Sequence, residues 1–195
     1  DVSWFGGWGI NFNGGKAQAT TADSSKLHTM LQSTGEYSIE AWVAPGNVVQ
    51  EDTRIVSYSA GTMNRNLNIG QTMYNYDFFA RTSNSDANGN PQMSTPDAAE
   101  VLQATLQHVV ATFDPVEGRK IYVNGVLAQE LDPAPGGNLS DWDETYAFVL
   151  GNEVSGDRPW QGVGRLAAVH NRALTEAQIL QNFEAGVGEK FFLLF

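Results

Sequence analysis

Residues 160–183, WQGVGRLAAVHNRALTEAQILQNF, constrain the fold more than any other stretch of this chain. They read as a strand that runs straight into a short helix. Val163, Leu166, Ala168 and Val169 give the first half a β-type composition. The second half carries two helix-start devices at once. Thr175 with Gln178 three residues on makes a capping box, and Leu174 before the cap pairs with Ile179 as a hydrophobic staple. Gly186 and Gly188 supply the stop, so a short helix is expected near 175–186. A lone helix at the end of a chain otherwise full of strands is a narrow signature.

The strands announce themselves by alternation. Over residues 36–43, Tyr37, Ile39, Ala41 and Val43 share one face, and Ser38, Glu40 and Trp42 the other. If that second face is solvated, Glu40 and Trp42 could line a groove. If it is packed, Glu40 needs a partner, because an unpaired buried carboxylate is costly. Further strands are expected at 54–59, 67–69, 77–82 and 146–151, with one or two more, Gly-rich at the corners, within 1–19. The clearest hairpin lies in 108–128: HVVATF, a reversal around Asp114-Pro115 and Gly118, then KIYV. Asn124-Gly125 follows as a two-residue turn of the primed type. Residues 83–97 and 133–143 read as polar loops. These elements imply an all-β chain: an antiparallel two-sheet β sandwich, a jelly roll, with one short C-terminal helix.

At 195 residues and without an internal repeat, the chain is expected to be a single domain, 1–195. It opens at Asp1 with no initiator Met and no signal peptide, which suggests a processed or excised piece of a longer protein. The formal net charge of −11 disfavours a nucleic acid partner, which needs a basic groove. The absence of cysteine excludes a disulfide scaffold, a cysteine zinc site and a thiol nucleophile. No span approaches the ~18 apolar residues of a membrane helix, so membrane insertion is not expected. The apolar run Phe191, Phe192, Leu193, Leu194, Phe195 is expected to be a final core strand or a cut domain edge.

Three phrases carry a family resemblance. SIEAWVAP at 38–45 resembles the second-strand motif of laminin-G-like, concanavalin A-like domains. HVVATFDPVEGRKIYVNGVLA at 108–128 is similar to their central hairpin block, and WQGVGRLAAVHNRALTEAQI at 160–179 to their closing strand and short helix. The three lie in the expected order and cover most of the chain. The resemblance implies a jelly roll with a concave face, and a module that binds glycans or proteins without catalysis. It also implies an exported or surface location and, in some members, Ca²⁺ held at a loop rim. Many such domains carry an acidic residue three positions after the glycine of the closing strand. Counting from Gly162, that position here is Arg165, a departure from the usual ion arrangement.

Catalytic patterns fail one by one. Glycosidases on this architecture place paired carboxylates on one strand as Glu-x-Asp-x-x-Glu, and no such triplet exists here. Asp141, Asp143 and Glu144 fall in a loop. A lyase would want Gln-x-His on a strand, whereas Gln107 directly precedes His108, so the two point to opposite faces. His28, His108 and His170 lack metal-ligand spacing, and no G-x-S-x-G elbow is present. No catalytic residue is assigned.

Two binding sites are expected. Asp86, Asn88 and Asn90 place oxygen-bearing side chains at alternate positions, which suits a hard cation such as Ca²⁺, although Asx turns in a polar loop explain the same pattern. Glycan recognition needs aromatic faces and planar polar side chains. The candidates are Trp142 as an exposed loop aromatic, the polar loop Asn152, Glu153, Asp157, Arg158 ending in Trp160, and Arg65 with Tyr76. The expected function is carbohydrate recognition or adhesion by a non-catalytic module of an exported, cell-surface or periplasmic bacterial protein. Its partners would be a glycan or surface protein and the rest of the parent polypeptide. The alternative is a structural or protein-binding unit within a larger extracellular assembly.

Overall fold

The computed structural model describes residues 1–6 and 8–188. The run 191–195, read above as a core strand or domain edge, lies outside the described residues.

Among the described residues, thirteen strands, two α-helices and one 3-10 turn, Asp97–Ala99, follow one another. The strands are β1 (Val2–Phe5), β2 (Gly9–Asn13), β3 (Ala17–Gln18), β4 (Tyr37–Pro45), β5 (Thr53–Gly61), β6 (Asn64–Thr72), β7 (Asn75–Ala80), β8 (Met93–Ser94), β9 (Gln107–Asp114), β10 (Gly118–Val123), β11 (Val126–Gln129), β12 (Ala147–Leu150) and β13 (Gln161–His170). The helices are α1 (Thr21–Gln32) and α2 (Glu176–Ala185). The strands form a seven-stranded sheet, β1-β2-β13-β4-β9-β10-β11, and a six-stranded sheet, β3-β12-β5-β6-β7-β8. Every pairing is antiparallel. This is the expected sandwich.

The core follows from the alternation. Tyr37, Ile39 and Ala41 of β4 stand opposite Phe113, Ala111 and Val109 of β9, and all six are buried. From the other sheet they meet Val56 and Tyr58 of β5, Leu67 and Ile69 of β6, and Phe78 of β7. Two such apolar faces pressed together are the main stabilising contact of a sandwich.

The outer faces are where polar residues collect. On the seven-stranded sheet, Ser38, Glu40 and Trp42 point away from the core and α2 lies over them. Its capping box is present, with Thr175 accepting from the Gln178 amide and Gln178 accepting from the Thr175 amide. Leu174 and Ile179 pack with Val110 and Tyr122, and Phe183 stacks on Trp42 at 5.9 Å. The face is packed, not solvated, so Glu40 does need a partner.

One element was not foreseen. α1 is a second helix, capped by the Thr20 hydroxyl and set against β12, where Ser24 accepts from Tyr58 through its carbonyl and from the Phe148 amide through its hydroxyl.

Candidate functional site

The polar residues expected to bind sugar gather in one place, but that place is sealed. On the outer face of the six-stranded sheet, Glu153 is fully buried and lies 3.3 Å from Arg54 and 3.7 Å from Arg65. It also accepts from the hydroxyls of Ser57, at 2.8 Å, and Ser59. Both guanidiniums stack on the Phe79 ring, at 5.2 Å and 4.5 Å. Burial, helped by the neighbouring Arg54 charge, lowers the Arg65 pKa to about 10 against the pull of Glu153 and Asp52. Asn152 is buried beside them and its side-chain oxygen accepts from the amides of Glu153 and Arg158. Only Asp157 and Arg158 reach the surface, and Arg158 pairs with Asp52 at 3.2 Å. Arg65, Asn152 and Glu153 therefore brace the 151–158 loop against the sheet. All three are buried.

The expected aromatics are corrected in the same way. Trp142, read as exposed, is only 6% accessible, because its indole donates to the Arg81 carbonyl and packs on Tyr37 at 5.3 Å. Tyr76 is buried, with its hydroxyl donating to Gln107 at 2.8 Å. Trp160 is buried as well, anchored by an indole bond to Gln71 and leaning on Phe12. Unlike the other two, it is among the residues that line a concavity.

That concavity has a volume of about 350 Å³ and is lined from both sheets. Phe12, Val43 and Gly164 come from the seven-stranded sheet, Val56 and Leu150 from the other, and Trp160 lines it as well. Trp4 and Trp8 stand at the rim, 80% and 46% exposed, with Leu166 and Arg165 beside them. Trp4 pairs with Ile10 at the edge of its sheet, so the β1–β2 hairpin is what holds the indole over the opening. Arg165 is the extra residue of a bulge: Gly164 pairs with Val43 and Leu166 with Trp42, leaving Arg165 between them. Its guanidinium lies 5.8 Å from the Phe5 ring. The rim tryptophans were missed in the sequence because only Trp in a polar loop was sought. Trp4 and Trp8 sit in a Gly-rich apolar stretch that reads as a strand corner.

The other expected centre is an Asx-turned loop. Asp86 accepts from the amides of Asn88, at 2.8 Å, and Asn90, at 2.9 Å, and from the Asn90 side chain. Burial pushes the Asp86 pKa up, but these bonds together outweigh it and hold the carboxyl below its usual value. Among the described residues no three His, Cys, Asp or Glu side chains cluster as a metal centre.

The third polar cluster lies beneath α2. Glu40 meets His108 at 2.9 Å and His170 at 2.8 Å, and accepts from Asn182 at 2.9 Å. Trp42, Phe183 and the His108 ring pack against one another, at 4.9 Å between Trp42 and His108 and 6.0 Å between Phe183 and His108. This carboxylate is the partner-seeking Glu40 of the packed face.

Comparison with known proteins agrees with this architecture. No curated protein sequence matches the chain. Among solved structures, a botulinum neurotoxin type C structure, whose cell entry is described as dependent on two ganglioside molecules, matches with a TM-score of 0.65 at 14% identity. The match covers 95% of this chain and 44% of that one. The binding domain of botulinum neurotoxin DC in complex with rat synaptotagmin II matches with a TM-score of 0.62 at 12% identity, over 95% and 44%. A heptameric SAP-like pentraxin from Limulus polyphemus matches with a TM-score of 0.54 at 14% identity, over 75% and 69%. The chain thus spans under half the length of the toxin chains, and these likenesses speak to fold. A family model described as the concanavalin A-like lectin/glucanases superfamily, of laminin-G type, matches residues 13–180. The chain belongs to that superfamily.

Proposed function

We propose that this domain is a non-catalytic recognition module of an exported or surface bacterial protein, and that it binds carbohydrate at the cleft rimmed by Trp4 and Trp8. The observation that carries the reading is the pair of exposed indoles beside a guanidinium at the mouth of a concavity. Indole faces stack on the C–H side of a sugar ring, and a planar guanidinium forks its hydroxyls. Proteins of the same fold described as interacting with gangliosides or in complex with synaptotagmin II support a binding role.

A glycan array tests this, run on the domain and on Trp4→Ala and Trp8→Ala, with Ca²⁺ and again with chelator. Binding lost in both variants supports the reading. Chelator sensitivity would add an ion at the Asp86 loop to it. Affinities on the order of micromolar to millimolar are expected for a shallow site.

A second reading is a protein-binding unit. Trp4, Phe5, Trp8 and Leu166 form an exposed apolar cluster of the kind that marks interaction surfaces. Silence on the array from a folded domain would favour it.

A further inference from the structure

We infer that the concavity between the β9–β10 turn and the start of α2 is a second binding site, and that it takes a small amino sugar, a ligand carrying both an ammonium group and hydroxyls. The inference does not rest on the Trp4 cleft being a ligand site.

The concavity has a volume of about 350 Å³, at the lower end of the roughly 300–1,000 Å³ of small-molecule sites. Four carboxylates line it: Glu36 just before β4, Asp114 and Glu117 around the hairpin turn, and Glu176 in the first turn of α2. Lys120 is the one cation among the described lining residues, and Glu117 holds it. The acids keep acceptor capacity. Glu36 uses one oxygen on the Ala173 amide at 3.2 Å, and Asp114 uses one on the amides of Val116, at 2.7 Å, and Glu117, at 2.8 Å. The N-terminus of α2 adds about half a positive charge, which four carboxylates against one ammonium outweigh. The local field therefore favours a cation. A bare metal ion is a poor match, because among the described residues no three acids or histidines converge as a metal centre. Acids spread around a concavity suit an organic cation whose N–H groups point several ways.

Two buried hydroxyls make this more than an acidic surface. Thr112 and Tyr122 are 4% and 5% exposed, and both line the concavity. They stand on the outer face of the seven-stranded sheet, where Thr112 pairs with Ser38 and Tyr122 with Val110. Among the described residues neither hydroxyl has a hydrogen-bond partner within the protein. Burial raises the Tyr122 pKa; Lys120 opposes the rise and Glu176, Glu117 and Glu130 add to it, so the phenol stays a neutral donor. A buried hydroxyl gains from any ligand that supplies its missing bond. An alkyl diamine would satisfy the carboxylates and leave the hydroxyls unpaired. A neutral sugar would do the reverse. An amino sugar serves both.

Amide chemical shifts of the domain, titrated with glucosamine, glucose, N-acetylglucosamine and 1,5-diaminopentane, test this at about pH 6, where amines are charged. Glucosamine should bind with a Kd on the order of millimolar, moving the amides of 112, 122 and 174–176. Its affinity should fall as salt rises. Glucose and N-acetylglucosamine, which lack the charge, should bind about tenfold more weakly. Tyr122→Phe and Thr112→Val keep the side-chain shape, remove one hydroxyl each, and should each weaken glucosamine about fivefold. Lys120→Gln releases Glu117 and should strengthen glucosamine about threefold, which a damaged fold would not do. Trp4→Ala should leave glucosamine unchanged.

Equal affinity for glucosamine and N-acetylglucosamine overturns the ammonium, and no shifts with any ligand overturns the site. Diaminopentane that matches glucosamine, with Tyr122→Phe silent, would assign the concavity to a partner's lysine and overturn the amino sugar. Shifts confined to residues 4–10 and lost in Trp4→Ala would overturn the second site while supporting carbohydrate at the Trp4 cleft. Glucosamine binding that survives Trp4→Ala supports the second site, even where the glycan array is silent.

Discussion

Glu40 Oε1 lies 2.9 Å from His108 Nε2, across the β4–β9 pair and beneath helix α2. The second carboxylate oxygen takes His170 and Asn182, so one side chain ties β4, β9, β13 and α2 together. Burial would raise the Glu40 pKa, but the bonds and charges of the two histidines outweigh it and hold it down at about 2, against 4.5 for a free glutamate. A depressed carboxylate contributes stability that is fully present above its unfolded pKa. That stability is lost as pH falls through the folded value. The window is therefore pH 4.5 down to 2. A depression of this size is worth about 3 kcal/mol. Urea unfolding across that range should show the loss in the wild type and a flatter profile in Glu40→Gln. An equal slope in both proteins would remove Glu40 from the account.

The tip of the central hairpin makes a cleaner test of backbone against contact. Asn124 and Gly125 both have positive φ, +52° and +78°, as the primed turn requires. A Cβ on Gly125 would lie 3.1 Å from both Leu180 and Phe183, so the turn is docked under α2. Gly14 shares the φ of +78° but has nothing within 4 Å. Replacing Gly14 by Ala should cost the left-handed penalty alone, about 1 kcal/mol. Gly125→Ala should cost about 1 kcal/mol more, because α2 must shift. Thermal melts of the two variants measure the difference, and equal losses would mean that the helix yields freely.

The α2 cap predicts a smaller effect. Thr175 is exposed, so its replacement by Ala removes the bond to the Gln178 amide and little else. About 1 kcal/mol is expected. Hydrogen exchange should show faster opening of α2 with β4 and β9 unchanged, and a uniform change across the sheets would contradict that.

What was legible in the sequence was whatever rests on periodicity and local chemistry. The alternation from Tyr37 to Val43 fixed the inward face, Asn124-Gly125 the hairpin, and Thr175 with Gln178 the helix start. Helix α1 was hidden because Ser, Thr, Asp and His are poor helix formers and only Leu27, Met30 and Leu31 give it an apolar face. Thr20 followed by Asp23 was the available signal: Asp23 donates its amide to the Thr20 hydroxyl as a cap. The candidate site was less legible, for a physical reason. Whether a tryptophan in a polar loop is exposed depends on which long-range partner takes its indole N–H, and Arg81 is 61 residues from Trp142. Glu153 likewise looked like a loop acid until β5 and β6 brought Arg54 and Arg65 to it.

The same contrast supplies the last prediction. Trp142 is 6% exposed, packs on Tyr37 and Tyr58, and has its indole bonded to Arg81. Its replacement by Ala leaves a large cavity and an unpaired carbonyl, so a loss of about 3–5 kcal/mol is expected. Trp4 is 80% exposed and holds no core contact of that kind. Trp4→Ala should change stability by less than about 0.5 kcal/mol. Ligand binding should move the other way: gone in a well-folded Trp4→Ala, and lowered in Trp142→Ala only in proportion to its unfolded fraction. Denaturation curves and binding isotherms on both variants decide it. A folded Trp142→Ala that loses binding while Trp4→Ala keeps it would return the site to the 141–143 loop.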